Sequence, residues 1–271
     1  MSSPRRAAGT LDYFACGSTS HDLALLFRGA LAETRTFPAG AFLYQSPSGA
    51  VVLFDTGYAP DTAAAGLPGR LYSRLLPPTV GPGDTIDARL RAAGLSPDDV
   101  THVVLSHAHP DHIGGVRHFP AATFVMSAGI AETLASPRLK EGVLRALLPD
   151  WFASAKRTVL TAADLSPTTV RGLDLSAHDL LGDGTYLLTP LPGHARGHLG
   201  AVVEERVLLA GDAAWGSDLI ERTASLRPLP GFIQHDRRAY QATALGLREA
   251  EAAGLRICLS HDRYDGARLL P

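Results

Sequence analysis

Cysteine is nearly absent: Cys16 and Cys258 are the only two in 271 residues, too few and too far apart for a disulfide framework. Both are read as buried thiols that pack as small hydrophobes. An excess of one charge is lacking too. The formal net charge is −2 and no cluster of Lys or Arg stands out, which excludes the basic footprint of a nucleic-acid binder. No apolar run approaches a membrane span, and the basic start Met1-Ser2-Ser3-Pro4-Arg5-Arg6 leads into no apolar stretch of signal-peptide length. The expected location is therefore the cytoplasm, with no membrane partner. Repeats and linkers are missing as well, so residues 1–271 are read as a single domain, and 45% apolar content is enough to bury a large core.

What the chain has is histidine in an informative place. His107-Ala108-His109-Pro110-Asp111-His112 packs three imidazoles and a carboxylate into six residues directly after the apolar run 103–105. Imidazole nitrogen and carboxylate oxygen are the donors a borderline cation such as zinc accepts, at roughly 2.0–2.2 Å. The alternating spacing lets His107 and His109 reach one metal while Asp111 and His112 face a neighbouring one. Three more apolar runs end on a donor: Pro192-Gly193-His194, Gly211-Asp212-Ala213 and Ser260-His261. In α/β architectures ligands gather outside the carboxyl ends of strands, so these strand ends point to one shared cleft.

In this order the motifs resemble the metallo-β-lactamase superfamily, from the early turn Asp55-Thr56-Gly57 to His261. The resemblance implies an α/β fold, a four-layer αβ/βα sandwich. It also implies that His107, His109 and His194 hold a first metal, that Asp111, His112 and His261 hold a second, and that Asp212 bridges them. Zinc is the expected pair, with iron and manganese open to the same donors. Two cations roughly 3.5–4 Å apart can share a water-derived hydroxide as nucleophile. A carbonyl ester or lactone is the expected substrate, with Asp111 also shuttling a proton to the leaving alkoxide. The bridging Asp212 and the strand-end motifs are similar to those of the quorum-quenching lactonases, which open acyl-homoserine lactones. One position departs from them: those lactonases carry a tyrosine three residues after the bridging aspartate, and this chain has Trp215, whose indole donates one hydrogen bond but supplies no phenol. A thioesterase or glyoxalase-II-like hydrolase would use the same parts. With only ten residues after His261, no C-terminal substrate domain like that of glyoxalase II is expected.

Periodicity and turn signals predict strands at 11–15, 41–45, 51–54, 123–126, 186–189, 201–204 and 207–209. Helices are predicted at 85–93 with Asp84 as N-cap, at 127–135, at 140–147, and at 237–253 stopped by Gly254. The stretch 215–233 is too long for an ordinary connection and is rich in apolar residues, so it is read as a lid, with Trp215, Phe232 and Ile233 as substrate-binding residues. The alternative is that it covers a sheet edge. The substrate would be a small molecule with an apolar acyl chain or ring; the assembly is left open to a homodimer. His198 is read as supporting a ligand rather than binding metal, and Asp55 as orienting a ligating histidine or forming the turn before Gly57. His21, His102, His118, His178 and His235 are read as surface or packing residues, Tyr13 as core and Tyr58 as a candidate for the cleft wall. Two other classes stay open: an iron-dependent oxygenase or reductase with similar ligands, and a binding protein that has lost turnover.

Overall fold

The computed structural model describes residues 8–264 and 268–270; the basic start at 1–6 lies outside them. Six strands come first: β1 (Thr10–Asp22), β2 (Thr34–Gln45), β3 (Val51–Phe54), β4 (His102–Val104), β5 (Thr123–Ser127) and β6 (Arg157–Leu160). Six more follow as β7 (Ser166–Val170), β8 (Leu173–Asp179), β9 (Tyr186–Pro190), β10 (Leu199–Val203), β11 (Val207–Gly211) and β12 (Arg256–Leu259), and β13 (Arg268–Leu270) closes the series. They form two sheets, ordered β13-β1-β2-β3-β4-β5-β6 and β12-β11-β10-β9-β8-β7.

Side-chain alternation sets the layers. In β11, Val207 and Leu209 enter a core shared with Phe42, Phe54, Val104 and Val125 of the first sheet, while Leu208 and Ala210 face the other way. Strands buried on both faces read as continuous apolar runs, which is why β10 and β11 carry hardly a polar side chain. The outer face of the first sheet, with Leu53, Val103 and Phe124, packs on Ile86, Leu90, Ile130 and Leu134. These come from helices α1 (Ile86–Ala92) and α2 (Ala128–Ala135). The outer face of the second sheet is covered by Ala244, Leu247 and Ala250 of α3 (Arg237–Ala252), a stripe at helical spacing. The result is helix, sheet, sheet, helix: the four-layer sandwich. Cys16 and Cys258 are buried and unpaired, and burial raises each thiol to about 12. Among the described residues no helix is long and apolar enough to cross a membrane.

Two predicted details are corrected. The N-cap of α1 is Thr85, because the Asp84 carboxylate is engaged elsewhere, accepting from Gly81 N at 2.9 Å and from Arg89 at 2.6 Å. The stretch 140–147 is not an α-helix. Gly142 sits at φ 63°, a left-handed conformation that breaks the ladder and leaves two 3-10 turns, Leu139–Glu141 and Arg145–Leu147. Its apolar spacing is still used, since Leu144 and Leu147 pack with Ala59, Ala65 and Tyr72.

Candidate metal centre

Strands β3 and β4 lie side by side and parallel, so the turns that follow them meet. After β3 the chain turns through Asp55 at φ 62°, a conformation Asp tolerates better than most residues. The buried Asp55 carboxylate then accepts three hydrogen bonds from the histidine loop: Ser106 N at 2.8 Å, Ser106 Oγ at 2.6 Å and His112 Nδ1 at 2.7 Å. Thr56 adds two more, N and Oγ1 both donating to the His112 carbonyl at 2.9 and 2.8 Å. Pro110 opens the short helix Pro110–Ile113, whose N-cap is His109, and this turn separates His107 and His109 from Asp111 and His112.

The partners of four imidazoles determine their tautomers. His261 Nδ1 faces the Pro38 carbonyl at 2.7 Å, and a carbonyl can only accept, so Nδ1 carries the proton. His112 Nδ1 donates to Asp55. Ser106 Oγ spends its proton on Asp55 and therefore accepts from His107 Nδ1 at 2.9 Å. His194 Nδ1 donates to Gln234 Oε1 at 2.9 Å. Each neutral ring is left with its Nε2 lone pair facing the centre, as metal-bound imidazoles require.

There the donor atoms fall into two groups, His107, His109, His194 and Asp212, and Asp111, His112 and His261, each within 4.8 Å. In the first, His107 Nε2 and His109 Nδ1 are 2.9 Å apart, and His194 Nε2 stands 3.2 and 3.1 Å from them. Lone pairs of His107 and His194 so close repel each other unless a cation lies between them. In the second, Asp111 Oδ2 is 3.6 Å from His112 Nε2 and 3.7 Å from His261 Nε2. Asp212 spans both: Oδ2 lies 3.4 Å from His194 and 3.0 Å from His261, and Oδ1 lies 3.3 Å from His112. Among the described residues, His112 Nε2 and Asp212 Oδ1 are buried and, although 3.3 Å apart, make no well-formed hydrogen bond to each other or to any other group. Buried polar atoms without partners are costly, so these two fit a bound cation pair.

The electrostatics agree. Burial holds His107, His109 and His194 below the ordinary histidine range. Burial also opposes charge on His112 and His261, yet it is outweighed by the carboxylates of Asp212 and Asp111, with Asp55 adding to the effect on His112. His112 is raised well above its usual value and His261 to about 9. Asp212 is desolvated, but His261 and His112 hold it well below the usual carboxylate range. The field at the centre thus favours positive charge.

His198 stands outside both donor groups. Its Nδ1 donates to Leu191 O at 2.8 Å and its Nε2 accepts the Asp212 N–H at 3.2 Å, so it holds the backbone of the spanning aspartate. Gly211 makes this contact possible, because a Cβ there would stand 2.6 Å from His198 Nε2. His118 lies 3.4 Å from Asp87, away from the donors. His102 and His178 meet Thr101 and the Asp164 carbonyl, and His21 packs beside Phe37. Tyr13 is core, donating to Asp262 O at 3.0 Å, whereas the Tyr58 hydroxyl pairs with that of Tyr72 at 3.2 Å.

A narrow cleft opens beside His109 and His194, walled by Ile130, Val143 and Ile233, with Lys140, Arg196 and His235 also lining it. Ile233 therefore lines it, but Trp215 and the 66% exposed Phe232 do not. Trp215 sits edge-on to His194 at 6.5 Å and to Phe27 at 6.1 Å between ring centroids. The stretch 215–233 is tied to the segment after β1: Arg28 N donates to Ser225 O and Arg227 N to Leu26 O. Leu219 and Leu226 bury with Phe27, Phe37 and Tyr240. The supports that sequence reasoning missed are Ser106, Pro38 and Gln234.

Fold and donor set together define a dinuclear metallohydrolase type, and comparison with known proteins supplies the family. The family model of the metallo-beta-lactamase superfamily matches residues 35–261. The chain belongs to that superfamily. It is 31% identical over 256 residues to the N-acyl homoserine lactonase AiiB of Agrobacterium fabrum, covering 86% of this chain and 82% of the relative. It is also 31% identical over 222 residues to a probable metallo-hydrolase of Mycobacterium tuberculosis, covering 79% and 67%. Among solved structures, an N-acyl homoserine lactone hydrolase with the product N-hexanoyl-L-homoserine bound at its catalytic metal center superposes with a TM-score of 0.69. That match is 18% identical and covers 93% of both chains. A hydrolase of the beta lactamase superfamily, AbOPH, gives a TM-score of 0.67 at 16% identity, covering 97% of this chain and 93% of that one.

Proposed function

We propose that this protein is a two-metal hydrolase that opens acyl-homoserine lactones or closely similar lactones and esters. The observation that carries the reading is Asp212, whose carboxylate faces both donor groups at 3.0 to 3.4 Å. The lactonase relatives support the substrate class. Zinc is the pair we assign; His107, His109 and His194 would hold one ion and Asp111, His112 and His261 the other, with Asp212 facing both groups. Bound there, the pair supplies Lewis acidity toward a carbonyl oxygen and an activated water.

The chain's own residues do the rest. Asp111, one of the three donors of the second group, takes the proton released as the water oxygen bonds to the carbonyl carbon. It returns that proton to the alkoxide when the ring C–O bond breaks. His198 and Asp55 hold Asp212 and His112 in place, so donors need not reorganise during the reaction. Ile130, Val143 and Ile233 offer an apolar wall to an acyl chain. Trp215 is assigned to packing against substrate beside His194. We place the enzyme in the cytoplasm, acting on a small molecule.

The test is a substrate panel on zinc-loaded enzyme: acyl-homoserine lactones of several chain lengths, simple lactones, aryl esters and thioesters, with oxygen consumption followed in parallel. Ring opening of acyl-homoserine lactones with kcat/KM above about 10⁴ M⁻¹s⁻¹, the lower end of the usual enzymatic range, is expected. Turnover confined to thioesters, or oxygen uptake by an iron-loaded form, would contradict it.

A further inference from the structure

Residues 234–236, between the apolar stretch 215–233 and α3, reach the first donor group. Gln234 is 4% exposed and makes two hydrogen bonds of fixed sense. Its Nε2 lies 3.1 Å from the Pro230 carbonyl, an acceptor only, so that atom must be the amide donor. The amide orientation follows, and Oε1 is the atom 2.9 Å from His194 Nδ1. An amide oxygen accepts, so His194 carries its proton on Nδ1 and presents a bare Nε2 to His107, His109 and Asp212. The backbone holds this arrangement in register: His235 N donates to His194 O and Asp236 N to Gly193 O, both at 2.9 Å. The adjoining Ile233 lines the cleft. Residues 234–236 therefore form a clasp on His194, one donor of the first group and of no other.

We propose that Gln234 is a positioning residue for the first metal, selecting the tautomer and ring orientation of His194, so that this clasp sets the metal affinity of one half of the site. The proposal rests on the two-metal reading above. A neutral amide is a weaker acceptor than the carboxylate that Asp55 offers His112, so His194 and His112 are held by partners of different strength. Outer partners of ligating histidines typically govern metal affinity by about 10–100-fold.

The test is titration of metal-stripped protein with zinc against a chromophoric chelator, repeated with cobalt to follow its visible absorption. Wild type should take up two equivalents. Gln234→Leu should weaken one binding step by about 10–100-fold and leave the other unchanged. Gln234→Glu, which keeps an acceptor at His194 Nδ1, should bind the same step as tightly as wild type or more tightly. Wild-type affinity in Gln234→Leu, or equal weakening of both steps, would overturn the proposal, the second because it marks a general loosening. Should Gln234→Leu fail to fold, Gln234→Glu decides, and a weakened first step there counts against the idea. Failure of wild type to bind two equivalents would instead sink the two-metal reading itself.

Discussion

Asp55 Oδ2 lies 2.7 Å from His112 Nδ1 and 2.6 Å from the Ser106 hydroxyl that accepts from His107. One carboxylate at the end of β3 thus orients an imidazole from each donor group. Asp55→Asn leaves only one acceptor oxygen for three donors. It is expected to cost about 1–3 kcal/mol of stability, the range for leaving a buried donor unpaired, and to weaken metal binding. Thermal unfolding with and without zinc checks this; an unchanged midpoint in both conditions would remove Asp55 from the account.

Asp111→Asn removes a charged donor and the assigned proton carrier. Turnover on the best lactone should fall by at least about 10²-fold. His118→Ala, at an imidazole 3.4 Å from Asp87 and outside both groups, should leave kcat near wild type. Equal rates for the two variants would refute the assignment.

The sequence made the donors legible because the chemistry is local. Four of them occupy one six-residue loop, and the other three end apolar runs. Their supports leave less trace. The Pro38 carbonyl that orients His261 is backbone, present at every residue, and Gln234 lies forty positions from His194 with no periodic pattern to link them. The fold shows the same division. Strands β10 and β11 announce themselves as unbroken apolar runs, whereas β7 carries Pro167 and little apolar surface, as an edge strand can, and escaped notice. The helix Gly66–Leu75 was hidden by Gly66, Gly69 and Pro68, although proline in a first turn costs no internal hydrogen bond. At 140–147 the apolar spacing was real, but one glycine outweighed it.

Gly211→Ala probes the contact between His198 and Asp212. The new methyl would stand 2.6 Å from His198 Nε2, and the position sits at φ 53°. The left-handed conformation alone costs about 1–2 kcal/mol for a residue with a Cβ. Displacement of the spanning carboxylate should weaken both metal-binding steps together, unlike Gln234→Leu. Chelator titration distinguishes them, and unaltered binding would show that His198 does not position Asp212.

Trp215 packs edge-on to His194 without supplying a phenol. Trp215→Ala should raise KM by an amount equivalent to about 1–3 kcal/mol of lost apolar contact while kcat stays nearly constant. A fall in kcat by orders of magnitude at constant KM would mean that the indole N–H acts in the transition state.

The central claim, two cations joined by Asp212, is tested most directly by elemental analysis of the protein after gel filtration from a zinc-supplemented preparation. The account predicts close to two equivalents of zinc per chain in wild type. A reproducible single equivalent of iron would contradict it.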